Sequence, residues 1–272
     1  MDKLMGNPQS VKVSKVVHET LRARTIIFEI DKPGLKFKPG QFLMIWIPGI
    51  DEIPMSISFW EPPKLGVTVL PVGKASEALS SLQQKDWIGI RGPFGSSFTL
   101  DSKNALVVGG GVGMAPLRPL VYSLLSNDVK VTLLIAAKTR HNLMFFAEFS
   151  LVTNNKLTLK TSTDDGSEGV KGLATDIVIE MLKENKYDTL YTCGPELMIH
   201  GLYNIAKTSK ISFQASLERY MKCGCGICGT CALDPTGSLV CVEGPIYTGR
   251  HLSGISEFGK YHRDAVGVKK KF

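Results

Sequence analysis

The sequence predicts three consecutive units: an antiparallel β-barrel, an α/β domain with a parallel sheet, and a small cysteine-rich module. Up to about residue 100, short stretches rich in β-branched residues alternate with Gly and Pro turns, a pattern typical of a small barrel. Beyond that point apolar strands alternate with helical stretches, which favours a parallel sheet covered by helices. Five of the six cysteines then fall between residues 223 and 241. A chain of 272 residues has room for all three units.

We place the barrel at residues 1–102, the α/β domain at 103–212 and the cysteine module at 213–272. The predicted barrel strands are 11–17, 24–30, 41–47, 56–60, 66–70 and 87–90, with turns at Pro33–Gly34 and Pro39–Gly40 and one helix over 74–83. The predicted α/β strands are 105–108, 131–136, 157–161 and 189–192, with helices ending at 125, around 143–149 and over 175–182.

Composition and charge narrow the class of protein. The chain is 43% hydrophobic and 21% charged, which is ordinary for a globular protein. Its net charge of +7 is spread along the chain without an aromatic-rich basic stretch, so we expect no nucleic-acid partner. The first ten residues lack the apolar core of a signal peptide, and the most apolar stretch, 105–117, is too short to span a membrane. We therefore expect a soluble, cytoplasmic protein without a membrane segment.

Four cysteines have the spacing of an iron–sulfur site. Cys223, Cys228, Cys231 and Cys241 follow C-x4-C-x2-C with a distant fourth cysteine, as in plant-type [2Fe-2S] proteins. The glycines between them can adopt positive φ and let amides approach the sulfurs. A four-thiolate zinc site that uses Cys223 or Cys225 with Cys228, Cys231 and Cys241 is the main alternative. A disulfide framework is disfavoured in a chain of this size without a secretory signal. The spacing favours iron–sulfur, and it gives Cys225 no role.

Two glycine turns follow apolar strands of the predicted parallel sheet. The first contains Gly109, Gly110, Gly111, Gly113, Met114 and Pro116, and the second contains Cys193, Gly194, Pro195 and Met198. Either one alone could be merely a tight strand-to-helix turn. Two of them at the carboxyl ends of strands in one sheet favour a dinucleotide-binding crevice.

Two polar interruptions lie inside the predicted barrel, at residues 53–57 and 73–76. From the residues alone, two turns with hydroxyl-capped ends are the favoured interpretation. The five histidines are scattered and have no metal-ligand spacing.

Together these segments, from about residue 11 to Gly244–Pro245, resemble the ferredoxin–NADP reductase superfamily. The order with a C-terminal [2Fe-2S] module is similar to that of electron-transfer subunits of heteromeric dihydroorotate dehydrogenases. The resemblance implies an FAD-binding barrel in which Ile53, Pro54, Met55 and Ser56 match the family's Arg-Pro-x-Ser flavin motif. It also implies that FAD contacts Leu70, Pro71, Val72, Lys74, Ala75 and Ser76.

The resemblance gives the two glycine turns a role in binding pyridine nucleotide and the four cysteines a role as cluster ligands. It places Asp164 and Asp165 in a nucleotide-domain loop. If these carboxylates face the ribose they disfavour a 2′-phosphate, which favours NAD over NADP. One departure is Ile53, which stands where the family has arginine, so a guanidinium that would pair with the FAD diphosphate is missing. Lys74 is a candidate substitute.

The implied function is electron transfer without a catalytic side chain. Electrons from dihydroorotate, oxidised at FMN on a separate catalytic subunit of a heterotetramer, would pass through the cluster and FAD to NAD+ in pyrimidine biosynthesis. The alternatives are a small subunit of another flavin-based complex, such as a transhydrogenase or hydrogenase, and a zinc-stabilised adaptor without enzymatic activity.

Overall fold

The first part of the chain closes into a six-stranded antiparallel barrel. A computed structural model describes residues 4–30 and 35–272, and the turn predicted at Pro33–Gly34 lies outside these residues. The strand order around the barrel is β1-β2-β5-β4-β3-β6. The elements are β1 (Leu4–His18), β2 (Arg24–Glu29), β3 (Phe42–Ile47), β4 (Asp51–Glu61), β5 (Lys64–Val69), α1 (Lys74–Ser81) and β6 (Trp87–Phe94). The predicted barrel is confirmed.

Successive side chains of β3 pack in two different hydrophobic cores. Leu43, Ile45 and Ile47 belong to the core inside the barrel. Phe42 and Met44 are buried on the outside, in a core shared with the cysteine module and the parallel sheet. Because successive side chains of a strand point to opposite faces, one strand serves both cores. The cysteine module is therefore packed directly on the barrel wall.

The segment 53–57 is not a turn, as the residues alone suggested, but the middle of β4. Its residues pair in register with β3, and Pro54 lies opposite Met44. Proline lacks an N–H and is disfavoured in strand interiors. For this reason the sequence predicts a break between strands at Pro54. The neighbouring strands impose the extended conformation here. The other interruption begins α1 as a hydroxyl-capped helix start, since Ser76 Oγ accepts hydrogen bonds from the amides of Val72 at 2.9 Å and Gly73 at 3.0 Å.

The second part of the chain forms the predicted parallel sheet. The strand order is β10-β9-β8-β7-β11-β12-β15, in which only β15 is antiparallel to its neighbour. Apolar residues fill the central strands because helices cover both faces. The elements are β7 (Asn104–Gly110), α2 (Met114–Ser126), β8 (Lys130–Ala137), α3 (Phe146–Ser150), β9 (Leu157–Thr163), β10 (Val170–Lys171), α4 (Ala174–Glu184), β11 (Thr189–Cys193), α5 (Glu196–Thr208) and β12 (Ser212–Ser216).

The C-terminal part is built into this sheet. β12 lies partly beyond the predicted domain limit at residue 212, and β15, which follows the cysteine loop in sequence, pairs with β12. The remaining elements are β13 (Ala232–Leu233), β14 (Ser238–Leu239), β15 (Ile246–Thr248), α6 (Gly249–Leu252), β16 (Tyr261–Arg263) and β17 (Lys269–Lys271). The sequence after the turn signal at Asp234–Gly237 predicts a strand over 238–242 that carries Cys241. In the structure β14 ends at Leu239, and Cys241 lies in a turn because the amides of Val242 and Glu243 both bond back to the Leu239 carbonyl.

Within the described ranges, no helix combines the length and the apolar character needed to cross a membrane.

Candidate functional site

The two predicted glycine turns are in direct contact at the carboxyl edge of the sheet. β7 and β11 are neighbours, and Gly109 lies opposite Cys193. A Cβ atom on Gly110 would lie 2.9 Å from the Met198 sulfur, and one on Gly113 would overlap the Cys193 carbonyl. Because no side chain fits between the turns, their backbones form one continuous wall of a crevice. Backbone amides at such an edge can bind a pyrophosphate.

The two helices that begin at these turns differ in the charge of their first turn. α2 has no acidic residue there, so its positive N-terminal end is available to an anion. α5 begins with Glu196, which pairs with Arg219 at 2.5 Å. The α2 end is therefore better suited to hold a phosphate than the α5 end.

Asp164 and Asp165 lie at the same edge, in the loop that follows β9. Both are exposed, and β9 is separated from β7 by one strand, which corresponds to roughly 10 Å. Asp165 accepts hydrogen bonds from the Ser167 hydroxyl at 2.6 Å and the Ser167 amide at 3.0 Å. These bonds lower the pKa of Asp165. It stays ionised at neutral pH and presents negative charge at the outer end of the crevice.

The residues of the flavin motif lie on both faces of β4. Ile53 and Met55 pack against the core inside the barrel, so Pro54 and Ser56 lie on the outer face by strand alternation. In the segment that leads to α1, Leu70 packs against the core beside α2. Its remaining residues are exposed or half-buried: Pro71, Val72, Lys74, Ala75 and Ser76. The motif and this segment thus form a surface on the outside of the barrel.

Arg118 connects the barrel to the α/β domain, a role that its sequence context did not indicate. From α2 its guanidinium donates to Glu148 at 2.9 and 2.7 Å and to the Ser58 carbonyl of β4 at 3.5 Å. It also lies over the rings of Phe59 and Phe145. These contacts hold α2 against β4, which brings the α2 turn to the same side of the molecule as the flavin motif.

The Glu218 carboxyl lies near the Cys193 thiol, because Cys193 is opposite Ser216 in the sheet and Glu218 follows two residues later. Cys193 is buried, and desolvation, reinforced by the charge of Glu218, raises its pKa. Burial of the Glu218 carboxyl and the nearby Glu196 raise the pKa of Glu218, against the opposing effect of Arg219. Glu218 is nevertheless exposed over part of its surface. In the sequence, Glu218 lies five residues before Cys223, which gives no sign of its proximity to Cys193.

The cysteine loop turns its amides towards its own sulfurs. Cys223 Sγ accepts from the amides of Ile227 at 3.3 Å and Cys228 at 3.5 Å, and Cys231 Sγ accepts from the Cys241 amide at 3.5 Å. Three glycines of the loop have φ near +70 to +84°, as predicted: Gly224, Gly226 and Gly229. Positive φ favours glycine. The loop is therefore shaped around the sulfurs.

The four predicted ligands lie as two pairs. The thiols of Cys223 and Cys228 are within hydrogen-bonding reach of each other, and so are those of Cys231 and Cys241. In the parts of the chain that the structure describes, no three His, Cys, Asp or Glu side chains converge as they would around a single metal ion. A [2Fe-2S] centre has two protein ligands on each iron. The two pairs fit such a cluster, and the Cys225 thiol also lies within hydrogen-bonding reach of the Cys223 thiol.

The loop also changes the acidity of the thiols. Burial would raise the pKa of Cys223, but the amides of Cys228, Cys225 and Ile227 outweigh it and bring that pKa to about 6. Burial and the adjacent Cys231 raise the pKa of Cys241 to about 12. Metal ligation requires thiolates. The loop thus favours the thiolate form of Cys223, whereas it disfavours the thiolate form of Cys241 until a metal binds.

Two family models match the chain. The iron–sulfur cluster binding domain of dihydroorotate dehydrogenase B matches residues 218–253, and the oxidoreductase NAD-binding domain matches residues 107–203. These segments contain the cysteine loop and the two glycine turns, respectively.

Curated relatives match nearly the whole chain. A probable dihydroorotate dehydrogenase B (NAD(+)) electron transfer subunit of Methanocaldococcus jannaschii is 40% identical over 97% of this chain and 99% of its own length. The corresponding protein of Methanothermobacter thermautotrophicus is 39% identical over 97% of each chain.

Solved structures share the fold. An NADH-dependent reduced ferredoxin-NADP oxidoreductase studied for flavin-based electron bifurcation superposes with a TM-score of 0.80, with 28% identity over 91% of each chain. Amycolatopsis cytochrome P450 reductase GcoB superposes with a TM-score of 0.64 and 19% identity over 73% of this chain and 66% of its own, and shows the fold alone.

Proposed function

The chain belongs to the family of dihydroorotate dehydrogenase B electron transfer subunits, and we propose that it carries electrons from a partner's FMN to NAD+. When bound, a [2Fe-2S] cluster would supply single-electron transfer and FAD would join it to two-electron hydride transfer. The protein's own side chains hold, orient and shield these groups. No side chain of this chain acts as a catalytic acid or base in the proposal.

The observation that carries the proposal is the contact between the cysteine loop and the flavin-motif face of the barrel. Gly224 packs on Met44, since a Cβ atom on this glycine would lie 2.6 Å from the Met44 side chain. Met44 is the cross-strand partner of Pro54 in the flavin motif. Gly224, which follows the predicted ligand Cys223, therefore packs on a residue one strand, roughly 5 Å, from the motif. Such proximity suits direct transfer of an electron.

The residues assigned to each group follow from this arrangement. Cys223, Cys228, Cys231 and Cys241 would hold the cluster. Pro54 and Ser56 would face the flavin ring, and the α1 start with Lys74 would approach the FAD phosphates. The turn at the start of α2 would bind the nucleotide pyrophosphate. Asp164 and Asp165 would repel a 2′-phosphate, which favours NAD+ as acceptor.

We also infer where the partner docks. Cys228 is exposed, and so are Ile227, at 84% of its surface, and Val242, at 51%. An exposed apolar patch beside a redox centre is typical of a protein interface. The proposed occupant is the FMN-containing catalytic subunit of a heterotetramer. The cytoplasm, a reducing compartment in which thiolate ligands persist, is the proposed location.

A second candidate is the small subunit of another flavin-based complex. The resemblance to the ferredoxin-NADP oxidoreductase structure favours it, since that match covers 91% of each chain. The two candidates share cofactors and differ in the electron donor. Only the first requires dihydroorotate and an FMN-bearing partner.

One experiment tests both. The chain is purified anaerobically, alone and coexpressed with the catalytic subunit, and its visible spectrum, iron, zinc and flavin are measured. About two irons and one FAD per chain are expected, with dihydroorotate-dependent reduction of NAD+ in preference to NADP+ by the copurified complex. A colourless protein with stoichiometric zinc would refute electron transfer. Full cofactor content without dihydroorotate activity in the complex would favour the second candidate.

A further inference from the structure

Arg91 of β6 is the polar contact that joins the barrel to the cysteine loop. Its Nε and Nη2 donate to the two carboxylate oxygens of Glu52 at 2.7 and 2.6 Å. The same Nη2 also donates to the Cys223 carbonyl at 3.1 Å. The side chain is 13% exposed and its guanidinium lies 5.6 Å from the centre of the Phe94 ring. A half-buried, bidentate ion pair of this kind holds the guanidinium in one position and orientation.

Arg91 lies in the barrel wall next to the residues that contact the cysteine loop and the flavin motif. Arg91 and Pro54 are the two cross-strand partners of Met44, so the three residues form one row across β6, β3 and β4. Gly224 packs on the Met44 member of that row. The carbonyl of Cys223, the first predicted cluster ligand, is bonded to the Arg91 end, and the flavin motif occupies the Pro54 end.

The fork of Arg91 makes it hard to replace. The Nε and Nη2 edge of the guanidinium bonds the Glu52 carboxylate. The second N–H of Nη2 is then free to donate to the Cys223 carbonyl. Lysine would keep the positive charge but has no rigid fork to bond both partners at once. The thiol of Cys225 also lies close to the guanidinium, so the contact includes the fifth cysteine of the loop.

We propose that Arg91 is a positioning residue that fixes the Cys223 end of the cysteine loop on the barrel and so sets the separation between cluster and flavin. The identity of the two cofactors rests on the proposed function, whereas the anchoring of the loop does not. The contacts of its guanidinium are with the Glu52 carboxylate, the Cys223 carbonyl and the Cys225 thiol, and none of these atoms is a predicted cluster ligand. It acts through the loop.

The first test measures hydrogen exchange in the full-length, cofactor-loaded protein. The amides of Ile227 and Cys228 donate to Cys223 Sγ, so the peptide spanning residues 222–230 reports on the position of that sulfur. In R91Q, exchange in this peptide should be at least about tenfold faster, since a hydrogen bond from a charged donor is lost. Exchange in α5 should not change. R250Q, at an exposed arginine of α6, is the matched control.

The second test separates charge from position through the cluster's reduction potential, followed by electron paramagnetic resonance. R91Q removes a positive charge near the cluster and should lower the potential. R91K should keep the potential near that of the wild type while its 222–230 peptide exchanges faster, and cluster-to-flavin transfer should slow in both variants. If R91Q does not fold, faster exchange confined to this peptide in R91K supports the proposal.

Unchanged exchange in the 222–230 peptide of either variant would overturn the anchoring role. This failure is distinct from failure of the proposed function, which would already appear in the wild type as missing iron or missing flavin.

Discussion

At the scale of single residues, Cys225 is the loop cysteine whose thiol lies beside the Arg91 guanidinium. Its side chain packs against the core shared by barrel and module, and its thiol lies close to Arg91 as well as to Cys223. The other four form the two pairs described above. Cys225 is therefore expected to pack against the barrel and to leave ligation to the pairs.

A pair of serine variants tests this distinction. Cys231→Ser removes a buried ligand, so iron content should fall from about two per chain to near zero, because serine is a poor substitute for thiolate. Cys225→Ser is the matched control and should retain about two irons. Iron and acid-labile sulfide are measured on anaerobically purified protein. Loss of iron in the Cys225 variant alone would assign the ligands differently.

Glu218 makes stability depend on pH. Its pKa is raised in the folded chain above the ordinary 4.5, chiefly by burial. In the pH range above 4.5 the folded state thus holds a proton that the unfolded state has already lost, so stability falls as pH rises through the folded pKa. Glu218→Gln should remove this fall. The variant should be more stable than the wild type at neutral pH and similar to it near pH 4.

Urea unfolding at several pH values measures the effect, with Glu184→Gln, an exposed change at the end of α4, as control. The assignment would be contradicted if the free energy of unfolding of the wild type rose with pH over this range, beyond any change that Glu184→Gln produces.

At the scale of elements, the crevice depends on how closely two strand-to-helix turns approach. Gly113 faces the Cys193 carbonyl with no room for a Cβ atom. The obstacle is backbone and cannot rotate away, so the turns must separate if any side chain is added. This is a packing requirement of β7 and β11 as neighbours, independent of any bound nucleotide.

Gly113→Ala should therefore destabilise the fold by about 1–3 kcal/mol, as overpacking does, and weaken NADH binding because the α2 turn moves. Gly254→Ala is the control, since its Cβ would meet only the His251 carbonyl, at 3.6 Å. Thermal unfolding and NADH titration of both variants give the comparison. Equal stability of the two variants would show that the turns are free to separate.

At the scale of the whole molecule, one buried ion network joins the α/β domain to the C-terminal part. Arg219 is 4% exposed and bonds Glu196 of α5 at 2.5 Å and Glu257 at 2.9 Å. Glu257 also accepts from the Asp234 amide at 3.1 Å, and Asp234 lies in the turn between β13 and β14. The cysteine module is thus tied to the sheet as well as to the barrel.

Removing the shared cation should loosen this junction. Arg219→Met leaves two buried carboxylates without their partner, which costs about 3–5 kcal/mol. Lys183→Met is the control because its pair with Glu180 is exposed and contributes at most about 1 kcal/mol. Denaturant unfolding measures both. A loss below about 1 kcal/mol in the Arg219 variant would mean that the network is not a stabilising junction.

The sequence by itself determined the features that reside in local patterns. Alternating apolar residues predicted the barrel, continuous apolar strands with intervening helices predicted the parallel sheet, and cysteine spacing predicted the cluster loop. Each of these signals is carried by neighbours in the chain, because strand period, glycine conformation and ligand spacing are local properties.

Only the tertiary structure decided the contacts between distant segments. Arg91 and the Cys223 carbonyl are 132 residues apart, and Arg118 meets β4 from a different domain. The extended conformation of residues 53–57 and the return of β15 to the sheet also depend on neighbouring strands. Such contacts produce no periodic pattern in the sequence. A charged residue that pairs with a distant partner cannot be distinguished, from the sequence, from one that faces solvent.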